Sequence, residues 1–105
     1  MIHDQIVDNL EKRLRDSNYD LVLSCEEYKV RGRFGECDVL AIRDNYAVVI
    51  EIKGKDRPKV RKKARYQLKK DIEWIYERFP HVDRIFPFYS YANKQHIELE
   101  WYVNI

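Results

Sequence analysis

The stretch Gly35-Glu36-Cys37-Asp38-Val39-Leu40-Ala41-Ile42, followed a few residues later by Val48-Val49-Ile50-Glu51-Ile52-Lys53, decides the fold. Both halves read as β-strands, Arg33 to Arg43 and Tyr46 to Lys53, joined by a tight hairpin turn at Asp44-Asn45. The run Tyr46-Ala47-Val48-Val49-Ile50 is too continuously apolar for a sheet edge, so this strand belongs at the centre, covered on both faces. Asp38, Glu51 and Lys53 are anomalous in that setting, because a buried charge is costly unless something pairs with it. Strand period two sets Glu36 with Asp38 on one face and Glu51 with Lys53 on one face. Brought together at one end of the hairpin, these groups crowd carboxylates and an amine into a small volume.

Upstream, Ile2, Ile6, Leu10 and Leu14 recur every four residues, with His3 and Val7 beside them, which predicts an amphipathic helix over 2–16 ended by Ser17-Asn18. Tyr19 to Cys25 then reads as a strand with Leu21, Leu23 and Cys25 on one face. Downstream of Gly54 and Pro58, the positions Val60, Ala64, Leu68, Ile72, Ile75 and Phe79 form a helical stripe that Pro80 stops. Arg84 to Tyr91 and His96 to Val103 read as two more strands around a turn at Ala92-Asn93-Lys94. Pro87 marks the first of them as an edge or bulged strand, and Ile97, Leu99, Trp101 and Val103 alternate as in a half-exposed one. The order α-β-β-β-α-β-β, with a helix linking the third and fourth strands, predicts an α/β fold with a parallel crossover in a mixed sheet.

Carboxylates crowded in this way repel unless a hard cation lies between them, and Mg²⁺ takes oxygen ligands while keeping several waters. Asp38, Glu51 and Glu36 are the candidate ligands, for Mg²⁺ or Mn²⁺, with Lys53 placed to hold or help deprotonate a water. Those parts point to a metal-dependent phosphodiester hydrolase.

Asp38, twelve intervening residues, then Glu51-Ile52-Lys53 resembles the D-x(n)-E-x-K core of the PD-(D/E)XK nucleases, the restriction-endonuclease-like fold. The resemblance covers roughly residues 2 to 92 and is nearest in size and spacing to archaeal Holliday-junction resolvases and similar small nucleases. It implies a mixed sheet flanked by helices, Mg²⁺-dependent hydrolysis and a homodimer. It also implies a Gln on the following helix, which Gln67 matches, and an acid on the first helix. Glu11 and Asp4 flank the apolar stripe seven residues apart, while Asp8 points away from the core, so Glu11 is preferred. Glu36 competes for the same role.

The formal net charge of +2 conceals a basic pole. Lys53 to Lys70 carries +9, whereas the other 87 residues carry −7. The run begins at the candidate catalytic lysine, so Lys55, Arg57, Lys59, Arg61, Lys62, Lys63, Arg65, Lys69 and Lys70 are expected around the mouth of the site, where a DNA backbone is the matching partner. Lys and Arg on a helix flank position phosphates and read few bases, so sequence specificity is expected to be low. Branched and flapped DNA are among the candidate substrates.

Length and composition bound the rest. The 105 residues suffice for one domain, 1–105, with one core. No apolar run approaches the ~18 residues of a membrane helix, and Met1-Ile2-His3-Asp4 lacks the start of a signal peptide, so a cytoplasmic protein is expected. Cys25 and Cys37 suit neither a zinc ribbon nor a cytosolic disulfide and read as small buried hydrophobes. His3, His81 and His96 have no ligand spacing. Phe86, Phe88, Tyr89, Tyr91, Trp101 and Tyr102 read as sheet packing, with Trp101 and Tyr102 a plausible dimer surface. Two other functions compete: a non-catalytic nucleic-acid-binding module on the same fold, and an interaction protein whose basic helix meets an acidic partner.

Overall fold

The computed structural model describes the backbone of residues 2–55, 57–93 and 96–101, and the side chains of residues 4–55 and 57–91. The order is α1 (Ile2–Arg15), β1 (Leu21–Val30), β2 (Arg33–Arg43), β3 (Tyr46–Lys53), α2 (Pro58–Arg78), β4 (Arg84–Asn93) and β5 (His96–Trp101). The five strands form one mixed sheet in sequential order, antiparallel throughout except for β3 and β4. A parallel pair needs a long crossover, and α2 supplies it. The fold is therefore the α/β arrangement the periodicities predict. No helix among the described residues is long and apolar enough to cross a membrane.

Each helix covers one face of the sheet. Ile6, Val7 and Leu10 of α1 pack over Val39, Ile50 and Ile52, with Leu14, Val48 and Phe88 at the margin. On the other face Ala64, Leu68, Trp74 and Ile75 of α2 pack over Leu40, Ile42, Ala47, Val49 and Tyr89. Successive residues of β3 thus enter opposite cores, which is why its sequence shows no polar alternation. Burying one Leu68- or Ile75-sized side chain stabilises by about 1.5–3 kcal/mol. Pro58 starts α2 in the first turn, where no N–H is needed, and the helix ends before Pro80.

Four expectations are corrected. β1 does not end at Cys25 but runs to Val30, because Tyr28 and Val30 are buried between the charged Glu26, Glu27 and Lys29. It turns into β2 through Arg31 and Gly32, both left-handed at φ 50° and 75°. β4 is no edge: it lies between β3 and β5, with Pro87 buried and paired with Val49. The described ladder to β5 begins one residue later, at Phe88 and Trp101. Asn93 is still in strand, paired with His96, so the last turn does not begin at Ala92. Of the cysteines only Cys37 is buried, and Cys25 is exposed. The expected dimer surface at the Trp101 and Tyr102 side chains falls outside the described residues.

Cys25 marks a break in the pleat that positions the site. Before it, Leu21 and Leu23 face α2 and Ser24 faces α1; after it, Tyr28 and Val30 face α2. Cys25 itself has φ 50°, and the β1–β2 ladder skips it and its opposite residue, Asp38. On β2 the same break sends Cys37 and Val39, two residues apart, to opposite cores. Strict alternation through Glu36 and Asp38 is lost at this point.

Candidate active site

The break opens the hairpin. The β2–β3 ladder runs from Arg43 and Tyr46 up to Val39 and Ile50 and then stops, leaving Asp38 and Glu51 beyond its last pair. Asp38 takes over the backbone's role there: its Oδ2 accepts a hydrogen bond from the Ile52 N–H at 2.8 Å. One residue to either side of Ile52, Glu51 and Lys53 extend from β3 with the parity of Ala47 and Val49, towards α2.

An open cleft of about 390 Å³ is lined by Glu36, Asp38, Glu51, Lys53 and Gln67, with Ile52 and Gly54. Five expected site residues are thus brought together. Lys53 Nζ lies 3.3 Å from Glu51 Oε1, while Glu51 Oε2 is buried with no hydrogen-bond partner. Asp38 is 5% exposed and Glu51 3%. Burial pushes the Glu51 carboxyl well above the ordinary carboxylate range, the negative fields of Asp38 and Asp71 push it further, and Lys53 opposes them. Among the described residues no three His, Cys, Asp or Glu side chains close into a ligand cluster, and Glu36 stays at the exposed rim.

Gln67 ties the rim to the core. Its Nε2 donates to the Glu36 carbonyl at 2.6 Å and to Asp71 Oδ1 at 3.1 Å. Asp71, one helical turn further along α2 and fully buried, also accepts from the Tyr28 hydroxyl at 2.5 Å. Burial raises the Asp71 carboxyl to about 7, the Tyr28 and Gln67 hydrogen bonds pulling the other way, and its Oδ2 has no partner. Tyr28 is held by stacking on Trp74, with centroids 4.7 Å apart, and lies across Gly35. A Cβ at Gly35 would come within 2.5 Å of the Tyr28 ring, so only glycine fits.

The reading from sequence missed Asp71 and Tyr28. The signal was available for Asp71: it falls three residues after Leu68 and four before Ile75, a charge on the apolar stripe itself. A signal existed for Tyr28 too: Glu27-Tyr28-Lys29-Val30-Arg31 alternates charged and apolar residues, a strand period beyond the point where β1 is expected to end.

Glu11 is not part of the cleft. It accepts from Ser24 Oγ at 2.7 Å and from Arg15 at 2.7 Å, contacts that hold its carboxyl below the usual range. Ser24 lies before the pleat break and faces α1, so Glu11 meets β1 and not the open end of the hairpin. The other α1 acids, Asp4 and Asp8, do not line the cleft either; their charges act on the Cys25 thiol together with those of Glu36 and Asp38. Burial pushes the Cys37 thiol well up, and partial desolvation with the nearby carboxylates raises that of the exposed Cys25, which disfavours the reactive thiolate at both.

The basic residues differ in what they line. Lys62 and Lys63 line a depression with Lys53, Tyr66 and Gln67, and Lys70 lines another with Gln67 and Glu36. Arg65 and Lys69 line neither depression, although Lys69, seven residues after Lys62, shares its flank of the helix. Arg61 is half-buried over the Tyr89 and Tyr91 rings, 5.5 and 5.9 Å from their centroids. Lys55, Arg57 and Lys59 are exposed between the Lys53 end of β3 and the first turn of α2.

No protein-family model matches the chain, and no curated protein matches it. Among solved structures it is similar to the crystal structure of SSO0001, at 22% identity and a TM-score of 0.48. The match covers 95% of this chain, which spans about half the length (49%) of SSO0001.

Proposed function

We propose that this domain is a Mg²⁺-dependent DNA endonuclease of the PD-(D/E)XK type, hydrolysing phosphodiester bonds with low sequence specificity. One observation carries the reading: the buried, unpartnered Glu51 Oε2 lies beyond the last rung of the hairpin together with Asp38, with Lys53 against its other oxygen. A carboxylate left without a partner at this depth is destabilising by itself and has a purpose if a cation completes it. The donor set suits Mg²⁺, or Mn²⁺, because it is all oxygen and leaves room for retained waters. Asp38 and Glu51 are the residues that would hold the ion, with Glu36 at the rim within reach of a bound water. When bound, the ion supplies Lewis acidity at a phosphoryl oxygen and a more acidic water.

The chain's own groups do the rest. The Lys53 ammonium, anchored on Glu51, is placed to hold the attacking water and to offset charge developing on the phosphate. Gln67, fixed by Asp71 and the Glu36 carbonyl, shapes the wall between the cleft and the solvent. Lys62, Lys63 and Lys70 draw a DNA backbone towards that wall. A cytoplasmic setting and a homodimer that cuts both strands belong to the same proposal.

A second reading, a non-catalytic nucleic-acid-binding module, is favoured by one observation, the lack of a three-ligand cluster among the described residues. A cleavage panel of linear, flapped, single-stranded and four-way DNA with Mg²⁺, Mn²⁺ or EDTA decides between them. Metal-dependent products that vanish in EDTA and in Glu51→Gln are expected; binding without any product sinks the nuclease.

A further inference from the structure

Three large hydrophobic side chains are exposed among the described residues, Phe34, Tyr66 and Tyr76, and two of them flank the cleft. Phe34, 76% exposed, stands on β2 just after the Arg31-Gly32 turn, directly opposite Lys29. Tyr66, 57% exposed, stands on α2 beside Gln67. Each ring carries an ammonium near its face: Lys29 Nζ lies 5.2 Å from the Phe34 centroid and Lys70 Nζ 5.2 Å from that of Tyr66. Lys70 bridges the two sides, since its Nζ also donates to the Phe34 carbonyl at 3.2 Å.

The depressions under the two rings adjoin the cleft. Glu36 and Gln67 line both the Phe34 depression and the Asp38–Glu51 cleft, and Lys53 and Gln67 line both that cleft and the Tyr66 depression. Three adjoining depressions that share Gln67 therefore form a track from Phe34 to Tyr66 beside the carboxylates, with lysines along it. Scattered exposed apolar residues are ordinary, but rings alternating with ammonium groups along one track fit a chain that alternates flat bases with phosphates.

From this we infer that Phe34 and Tyr66 are stacking platforms for unpaired bases on either side of the phosphate held in the cleft, so the substrate class is single-stranded nucleic acid or the unpaired segment of a flap or junction. A duplex keeps its bases stacked inside the helix and offers the rings nothing but its backbone. An unpaired strand can lay a base on Phe34 while Lys29 and Lys70 move from ring to phosphate, which their flexible stems allow. This rests on the nucleic-acid reading of the cleft and not on its cleaving anything.

The test separates the two. Binding of fluorescein-labelled oligothymidylate and of a blunt duplex is measured by anisotropy in EDTA for the wild type, Phe34→Ala, Phe34→Trp, Tyr66→Ala and Tyr66→Phe; cleavage is measured separately in Mg²⁺. Phe34→Ala and Tyr66→Ala should each weaken oligothymidylate binding about 10- to 100-fold, with duplex binding changed far less and the aromatic replacements close to wild type. Both rings are exposed, so folding should survive, and circular dichroism checks this. Unchanged oligothymidylate binding in both alanine variants, or an equal loss for duplex, overturns the inference, even in a protein that cleaves. A protein that never cleaves but shows the ring-dependent loss supports the inference and sinks the nuclease alone.

Discussion

Asp38 Oδ2 and the Ile52 N–H form a 2.8 Å hydrogen bond that stands where a backbone rung between β2 and β3 would otherwise be. A site acid is thereby also a strand tie, and replacing it has two separable effects. Asp38→Asn keeps an acceptor for Ile52 and removes a charge from beside Glu51, so stability should hold or rise. Asp38→Ala leaves the buried N–H unmet and should cost about 1–3 kcal/mol. Both should abolish cleavage. Urea unfolding beside a cleavage assay checks this, and equal stability of the two variants would show that the bond contributes nothing.

Glu51 is strained by its surroundings. Burial, with Asp38 and Asp71 adding, lifts its folded carboxyl above the unfolded value, so its ionisation subtracts stability as pH rises through the folded value. Glu51→Gln should therefore unfold at a higher temperature than the wild type near pH 8, by about 1 kcal/mol of stability, while losing cleavage and keeping DNA binding within a few fold. A melting temperature below that of the wild type would mean that the Lys53 contact outweighs the repulsion.

Asp71 sets a pH dependence of its own. With its carboxyl raised to about 7, the folded state holds the proton more tightly than the unfolded chain. The burden is absent below about pH 4, grows as pH climbs and is complete above about pH 7. Asp71→Asn retains an acceptor for Tyr28 and Gln67 and removes the charge. The variant should match the wild type near pH 4 and exceed it by on the order of 3 kcal/mol near pH 8. Denaturant titrations at the two pH values measure the difference, and a difference independent of pH refutes the assignment.

What each side chain lines or touches divides the basic run into groups with different roles. Lys62→Gln with Lys63→Gln should lower the slope of log affinity against log salt by about 2 for duplex DNA. Arg65→Gln with Lys69→Gln, which line neither depression beside the cleft, should leave the slope near its wild-type value. Arg61→Gln should lower stability by about 0.5–1 kcal/mol through the lost ring contacts without moving the slope. Fluorescence anisotropy over a salt series reads all three, and equal slopes for the two double variants would show that the helix binds by overall charge alone.

The amino-acid sequence by itself determined the two helices, the central strand β3, the Asp44-Asn45 hairpin and the convergence of Asp38, Glu51 and Lys53, while Gln67 entered only through the family resemblance. Each rests on a local period or spacing: four-residue recurrence in α1 and α2, an unbroken apolar run in β3, a fixed interval from Asp38 to Glu51. Only the tertiary structure decided where those periods fail. A left-handed residue at Cys25 reverses the pleat, opens the ladder at Asp38 and turns the α1-facing side of β1 towards Glu11 before the break and away from it after. Nothing in a period-two pattern announces that reversal, because it is a backbone conformation stabilised by the partner strand. Likewise, the burial of Tyr28 depends on Gly35, which clears room for its ring, and on Trp74, which stacks on it. Asp71 is a misplaced charge on a helix until Tyr28 and Gln67, from 43 and four residues away, give its oxygen a reason to be buried. Local chain statistics encode what a segment prefers, whereas the cost of a buried charge or a left-handed residue is met by groups distant in sequence, which only the assembled fold brings near.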